Sequence, residues 1–73
     1  MMLMDLLEHL MYDTYVVLYD MNGEEVERFD GKDSLSGEYD YCEVMNVYTQ
    51  VLTTHYGSKE PFIVIDIETG KEE

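Results

Sequence analysis

A run of β-branched and aromatic residues followed closely by Asn-Gly constrains the fold of this chain more than any other feature. The segment TYVVLYD covers residues 14–20, and EEVERFD covers residues 24–30. Asn-Gly between them, at residues 22–23, is the strongest short signal for a β-hairpin, because both central residues of a type I′ turn need positive φ. The sequence therefore predicts strands over 14–20 and 24–30, joined by a two-residue turn.

A two-residue turn would fix which side chains share a face of this hairpin. Tyr19 would then lie opposite Val26, and the rest of the register would follow. One face would carry Val16, Leu18 and Phe29, and the other Tyr15, Val17, Tyr19, Val26 and Arg28. The first face is the more apolar, so we expect it to lie under a helix. The second would then offer Tyr15, Val17 and Tyr19 as a homodimer contact.

Two further segments have clear periodicity. Leucines at positions 3, 6, 7 and 10 follow one stripe of a helix, which predicts a helix over 2–12. This apolar segment also contains Asp5 and Glu8 and has no basic region, so we expect neither a signal peptide nor a membrane span. The segment FIVIDIE, at 62–68, alternates isoleucine with other residues and predicts a strand.

The segment YCEVMNVYTQVL fits two interpretations. Its apolar spacing is compatible with a helix, whereas its content of Val, Tyr and Thr is typical of a strand. The choice stays open over 42–52, and we favour a strand over 42–50. The complete prediction is a single α+β domain over residues 1–73, with one N-terminal helix packed on a three- to four-stranded antiparallel sheet.

Acidic residues dominate the charge of the chain. There are 17 Asp and Glu against 4 Lys and Arg, a net charge of −13. Such a body repels nucleic acid and anionic lipid and attracts basic protein surfaces. We therefore expect a basic protein surface as the partner, and neither nucleic acid nor a membrane. Charge of this size also serves solubility alone, and composition leaves both interpretations open.

The sequence carries no pattern typical of catalysis or metal binding. Cys42 is the single cysteine, which excludes an internal disulfide and fits a reducing cytoplasm. Nothing in the sequence brings His9 or His55 near it. The segment DMNGEE, at 20–25, resembles a calcium loop in composition, but its glycine is fourth instead of sixth. We expect no cofactor, no metal, no cavity of the usual ligand size and no enzymatic activity.

Carboxylates and tyrosines are interleaved in the hairpin and in the segment that leaves it. Tyrosine supplies a rigid anchor, and the surrounding carboxylates attract Lys and Arg. The expected partner-binding residues are Asp30, Asp33, Glu38, Tyr39, Asp40, Tyr41 and Glu43. The alternative is a solvated loop whose tyrosines have no binding role.

The order of LLEHL, YVVLYD, NG, RFDG, CEV and an isoleucine-rich last strand resembles small acidic proteins of phages and prophages of Gram-positive bacteria. Anti-CRISPR proteins and uracil-DNA glycosylase inhibitors belong to that group, and many of them mimic DNA. The resemblance implies a cytoplasmic inhibitor in a bacterial host. It would bind the basic nucleic-acid-binding surface of a defence protein such as a CRISPR nuclease. The other hypothesis is a self-associating or adaptor module with no inhibitory role.

Overall fold

One short helix and four strands form the described part of the chain, which is residues 1–10, 14–30 and 36–69 of a computed structural model. The elements are α1 (Leu3–Leu7), β1 (Val16–Tyr19), β2 (Glu25–Phe29), β3 (Glu43–Thr53) and β4 (Lys59–Glu68). The segment whose character was open, 42–52, is therefore a strand in the structure. Both β3 and β4 extend beyond their predicted ranges, whereas α1, β1 and β2 are shorter than predicted.

The four strands form one sheet in the order β2-β1-β4-β3. The pairs β1–β2 and β3–β4 are antiparallel, but β1 and β4 are parallel. The prediction of a wholly antiparallel sheet is therefore wrong, and the fold is α+β with a mixed sheet. The apolar run of β4 explains the difference. A strand that is buried on both faces belongs in the centre of a sheet, and β4 takes that place beside β1, with β3 outside it.

The β1–β2 hairpin has the predicted register over most of its length. Val16 lies opposite Phe29, as expected, but Tyr19 lies opposite Glu25 instead of Val26. The turn has three residues, because the N–H of Asp20 bonds to Glu24 and only Gly23, with φ of 82°, has positive φ. A bulge at Val26 then restores the register and turns this side chain toward the helix.

Helix α1 packs on the face that the sequence predicted. Leu3 is fully buried against the β1 and β4 side chains of the main core. That core consists of Leu3, Val16, Leu18, Ile65 and Ile67. After Leu7 the bonds shorten to the i→i−3 type, from His9 to Leu6 and from Leu10 to Leu7, so the regular helix ends earlier than predicted. Residues 11–13 lie outside the described part.

The sheet curls so that its two edge strands meet at one end. Arg28 of β2 donates from Nη1 to the carbonyl of Thr53 in β3 over 2.9 Å. The N–H of His55 donates to Asp30 Oδ2 over 2.6 Å. These bonds close the tip of the β3–β4 hairpin over the sheet face opposite α1. We call this region, which contains Arg28, Asp30, Thr53, His55 and Lys59, the hairpin end.

Candidate protein-binding surface

Carboxylates gather at the end of the sheet that lies away from the hairpin end. Strands β1 and β4 finish there because they are parallel, and β3 begins there. The register sets Asp66 beside Tyr19 on one side and beside Asn46 on the other, and it sets Glu43 opposite Glu68. We call the carboxylates of this region the acidic end: Asp20, Glu38, Glu43, Asp66 and Glu68.

An open hollow of about 410 Å³ collects three of the predicted binding residues. Glu38, Tyr41 and Glu43 line it together with Glu68, and Tyr41 is 77% exposed. The terminal amine of Met1 lies 2.9 Å from Glu43 Oε2. This part of the predicted surface is therefore assembled as an exposed tyrosine among carboxylates.

A second, wider depression of about 640 Å³ lies on the face opposite α1. We call it the tyrosine groove, and it is lined by Tyr19, Asp20, Met21, Gly23, Met45, Asn46, Tyr48, Gln50 and Asp66. The expectation that so small a domain leaves no room of this size is wrong, because the curled sheet makes its own concave surface. Tyrosine and methionine side chains can pack on an aliphatic stem, while Asp20 and Asp66 can pair with a cationic head. The groove therefore suits the side chain of lysine or arginine.

Asp30 does not belong to this surface. Its side chain is only 7% exposed and accepts two bonds from His55, from the backbone N–H at 2.6 Å and from ring Nδ1 at 3.1 Å. Burial by itself would raise the pKa of Asp30, but the two bonds from His55 outweigh it and hold that pKa below its ordinary value. The prediction that Asp30 meets a partner is corrected, because the carboxylate joins two parts of the fold.

The remaining predicted residues have different positions. Tyr39 is half-buried against the main core, and burial first, then the nearby Glu38 and Glu27, raise the pKa of its phenol. Asp40 is half-buried, and its carbonyl accepts the N–H of Met4 over 2.9 Å. Both residues support the segment that presents Tyr41. Asp33 lies outside the described residues.

The predicted homodimer face is occupied within the chain. Val17 is fully buried in a second core, formed by Val17, Phe62 and Val64. Tyr15 stacks on the Phe62 ring with centroids 5.3 Å apart, and the Arg28 guanidinium lies 5.2 Å from the same centroid. Tyr19 lines the tyrosine groove, and Tyr15 lines a separate open depression of about 340 Å³ beside Phe62.

Three carboxylates of the acidic end, Asp20, Asp66 and Glu68, were not predicted as binding residues. Asp66 and Glu68 join it from β4, so finding them required the strand register. One signal was present in the sequence: Asp66 is the only charged residue inside the apolar run FIVIDI. A buried central strand rarely tolerates a carboxylate, and the position of this one at the rim of a groove accounts for it.

The cations of the described residues lie mostly apart from these carboxylates. Arg28 pairs with Glu25 through Nε and Nη2, at 3.0 and 2.9 Å. Lys59 donates from Nζ to Thr53 Oγ1 over 3.2 Å. Within residues 1–10, 14–30 and 36–69, no lysine or arginine side chain pairs with the acidic end. The surface is therefore electrostatically polarised along the sheet.

Comparison of the chain with protein-family models, with curated proteins and with solved structures finds no match. Among the described residues, no group of three or more Cys, His, Asp or Glu side chains has the arrangement of a metal site. The helix in that part of the chain is too short to cross a membrane.

Proposed function

We propose that this chain is an inhibitor encoded by a phage or other mobile element, which binds a basic nucleic-acid-binding surface of a host defence protein such as a CRISPR nuclease. The observation that supports this most is the acidic end. Five carboxylates, Asp20, Glu38, Glu43, Asp66 and Glu68, surround two open depressions with exposed tyrosine. The side chains of Arg28 and Lys59 lie at the opposite end of the sheet.

The proposed mechanism is substitution of carboxylates for phosphates. Duplex DNA presents about one negative charge per 1.7 Å of its axis, and proteins meet it with Lys and Arg. Glu43 and Glu68, directly opposite each other, place two acceptors within reach of one guanidinium. The tyrosine groove would hold the stem of a neighbouring lysine or arginine against Tyr19 and Tyr48.

The arrangement of the carboxylates favours partner binding over solubility alone as the explanation of the net charge. Charge that serves solubility alone works when it is spread over the surface. Opposed carboxylates such as Glu43 and Glu68 repel across a strand pair, and the exposed ion pair of Glu43 with the Met1 amine offsets little of this cost. Keeping them together beside an exposed Tyr41 favours a binding role.

The test is capture of host proteins on the immobilised full chain, from a bacterial lysate at low ionic strength. We expect nucleic-acid-binding proteins to be captured, to be displaced by duplex DNA and to elute as salt rises, because the attraction is screened. The double variant Asp66→Asn/Glu68→Gln should lose at least about tenfold in affinity for the captured protein, a loss of about 1.4 kcal/mol.

The matched control is Asp5→Asn/Glu8→Gln, which removes the same charge from exposed positions on and beside α1. It should bind as the unmodified chain does. Equal loss in both variants would mean that total charge, and not the acidic end, attracts the partner. Captured proteins that DNA does not displace would contradict the mimicry mechanism.

A further inference from the structure

Strand β3 leaves one long edge of the sheet without a neighbour. It is 11 residues long, and β4 is its one partner in the sheet. Its first residues are covered, because the N–H of Leu3 donates to Cys42 and the N–H of Val44 donates to Met1. Within the described residues, no strand pairs with the outer side of 46–53. Two backbone groups there have side-chain partners: the N–H of Val47 donates to Asn46 Oδ1 over 3.1 Å, and the carbonyl of Thr53 accepts from Arg28.

The direction of the free backbone groups follows from the bonds at the two ends of β3. The N–H of Thr54 donates to Ser58, so it points toward β4. Alternation along an antiparallel strand then points the groups of Val47, Thr49 and Val51 away from β4. The outward bond of Val44 agrees with this, because the bulge between Val44 and Asn46 shifts the alternation by one residue.

Apart from the bulge between Val44 and Asn46, this edge lacks the features that usually keep edge strands apart. Proteins protect such edges with charges, proline or short length. Residues 44–58 contain no Asp, Glu, Lys, Arg or Pro, although the chain has a net charge of −13. Val47 is 44% exposed and Val51 is 62% exposed. Of the two edge strands, β2 is short and charged, whereas β3 is long and uncharged from Val44 onward.

We propose that β3 pairs with β3 of a second copy of this chain, antiparallel and about a two-fold axis at Thr49. The pairing would form about four interchain hydrogen bonds from the N–H groups of Thr49 and Val51. Two more would form if the N–H of Val47 exchanged Asn46 Oδ1 for the second copy, and the two sheets would join into a single one. Val47 of each copy would lie opposite Val51 of the other, and Tyr48 opposite Gln50. Such an interface is isologous and closes after two copies.

Charge favours a second copy as the occupant. Two bodies of the same negative charge repel, so they can approach only where the contact is neutral or complementary. The stretch 44–58 provides the neutral contact. Antiparallel pairing also brings Glu43, at the start of β3, toward the hairpin end of the second copy, where Lys59 lies on Thr53. Glu43, which also pairs with the Met1 amine of its own chain, therefore lies near a basic side chain of the other copy.

This proposal rests on the edge of β3 and not on the proposed function, although both use Glu43, and it differs from the predicted contact through Tyr15, Val17 and Tyr19. Sedimentation equilibrium of the full chain over a range of concentrations should give a mass of two chains of 8.6 kDa. Val51→Lys should weaken dimerisation at least about tenfold, because two lysines would enter one interface. Met21→Lys adds the same charge at another exposed apolar position and should leave the dimer intact.

Amide hydrogen exchange tests the geometry without a variant. The N–H groups of Thr49 and Val51 should be protected at high concentration and lose protection on dilution, while those of Tyr48 and Gln50 stay protected throughout. A chain that is monomeric at every concentration would overturn the proposal. So would a dimer whose exchange pattern does not alternate along β3, or one that Met21→Lys weakens as much as Val51→Lys does.

Discussion

At the hairpin end, the buried Asp30 accepts bonds from His55, and Arg28 pairs with Glu25. At the acidic end, by contrast, Glu43 of β3 lies opposite Glu68 of β4. Carboxylates of the same chemistry therefore have opposite effects in the two regions. The buried Asp30 carboxylate accepts hydrogen bonds and so joins two edges of the sheet that are distant in sequence. Where carboxylates have like-charged neighbours, they reduce stability and create a field that a cationic partner can relieve.

The contrast teaches that net charge says little about the role of an individual acid. Asp30 contributes to the same −13 as Glu68 does. Yet removing the Asp30 carboxylate should destabilise the fold, whereas removing the Glu68 carboxylate should stabilise it. Four experiments, in order of decreasing effect, test whether the free energy of unfolding changes in opposite directions in the two regions.

The largest effect is expected from Asp30→Ala. The variant leaves the backbone N–H of His55 without its acceptor and removes one of the two links between β2 and the β3–β4 hairpin, while the bond from Arg28 to Thr53 remains. We expect a loss of about 2–3 kcal/mol in the free energy of unfolding, measured by urea titration. Asp5→Ala, an exposed acid on α1, is the control and should change that free energy by less than about 0.5 kcal/mol. Equal effects would remove the distinction between the two regions.

Arg28→Met should have the next largest effect. The guanidinium bonds to Glu25 and to the Thr53 carbonyl and lies on the ring of Phe62. Methionine keeps the packing on Phe62 but makes none of the polar bonds. We expect a loss of about 1–2 kcal/mol in thermal or urea unfolding. A loss that disappears in high salt would mean that the charge, and not the bond to Thr53, is what matters.

Acid should reproduce part of the Asp30→Ala effect. The pKa of Asp30 is lower in the folded chain than its ordinary value of 3.8, so the ionised carboxylate stabilises the fold above that pH. This contribution is lost as the pH falls from 3.8 through the folded value. Urea titrations from about pH 5 to about pH 2 should show the stability difference between the unmodified chain and Asp30→Asn shrinking. A constant difference would contradict the shift.

The smallest effect is expected at the acidic end, with the opposite sign. Glu68→Gln removes the repulsion between the opposed Glu43 and Glu68. We expect a gain of about 0.2–1 kcal/mol at low salt, which decreases as salt is added. Glu8→Gln, an exposed acid just after α1, should leave stability unchanged. A loss of stability in Glu68→Gln would show that the acidic end supports the fold, as the hairpin end does.

Local patterns predicted the local parts of this structure. The spacing of Leu3 with the later leucines placed α1, and alternation placed Val16 and Phe29 on the face beneath it. The parallel pairing of β1 with β4 could not be predicted in this way. It depends on which strand fills the centre of the sheet, and that choice is made by the packing of both faces at once.

The same limit applies to the candidate surface. Glu38, Tyr41 and Glu43 are near one another in sequence and could be grouped from sequence alone. Asp66 and Glu68 reach the acidic end only through the register of β4. Asp30 was misplaced because its partner, His55, lies on a distant hairpin, and a carboxylate in a sequence carries no sign of a buried donor.

The central position of β4 has a consequence for how the chain is made. Strand β4 is the last of the four to leave the ribosome, yet it alone connects β1 to β3. Until Glu68 has emerged, the β1–β2 hairpin stands alone, and an isolated two-stranded hairpin is marginally stable at best. A nascent chain that is halted before Lys59 therefore cannot form the four-stranded sheet. Until β4 has been synthesised, the nascent chain is unfolded and open to proteolysis.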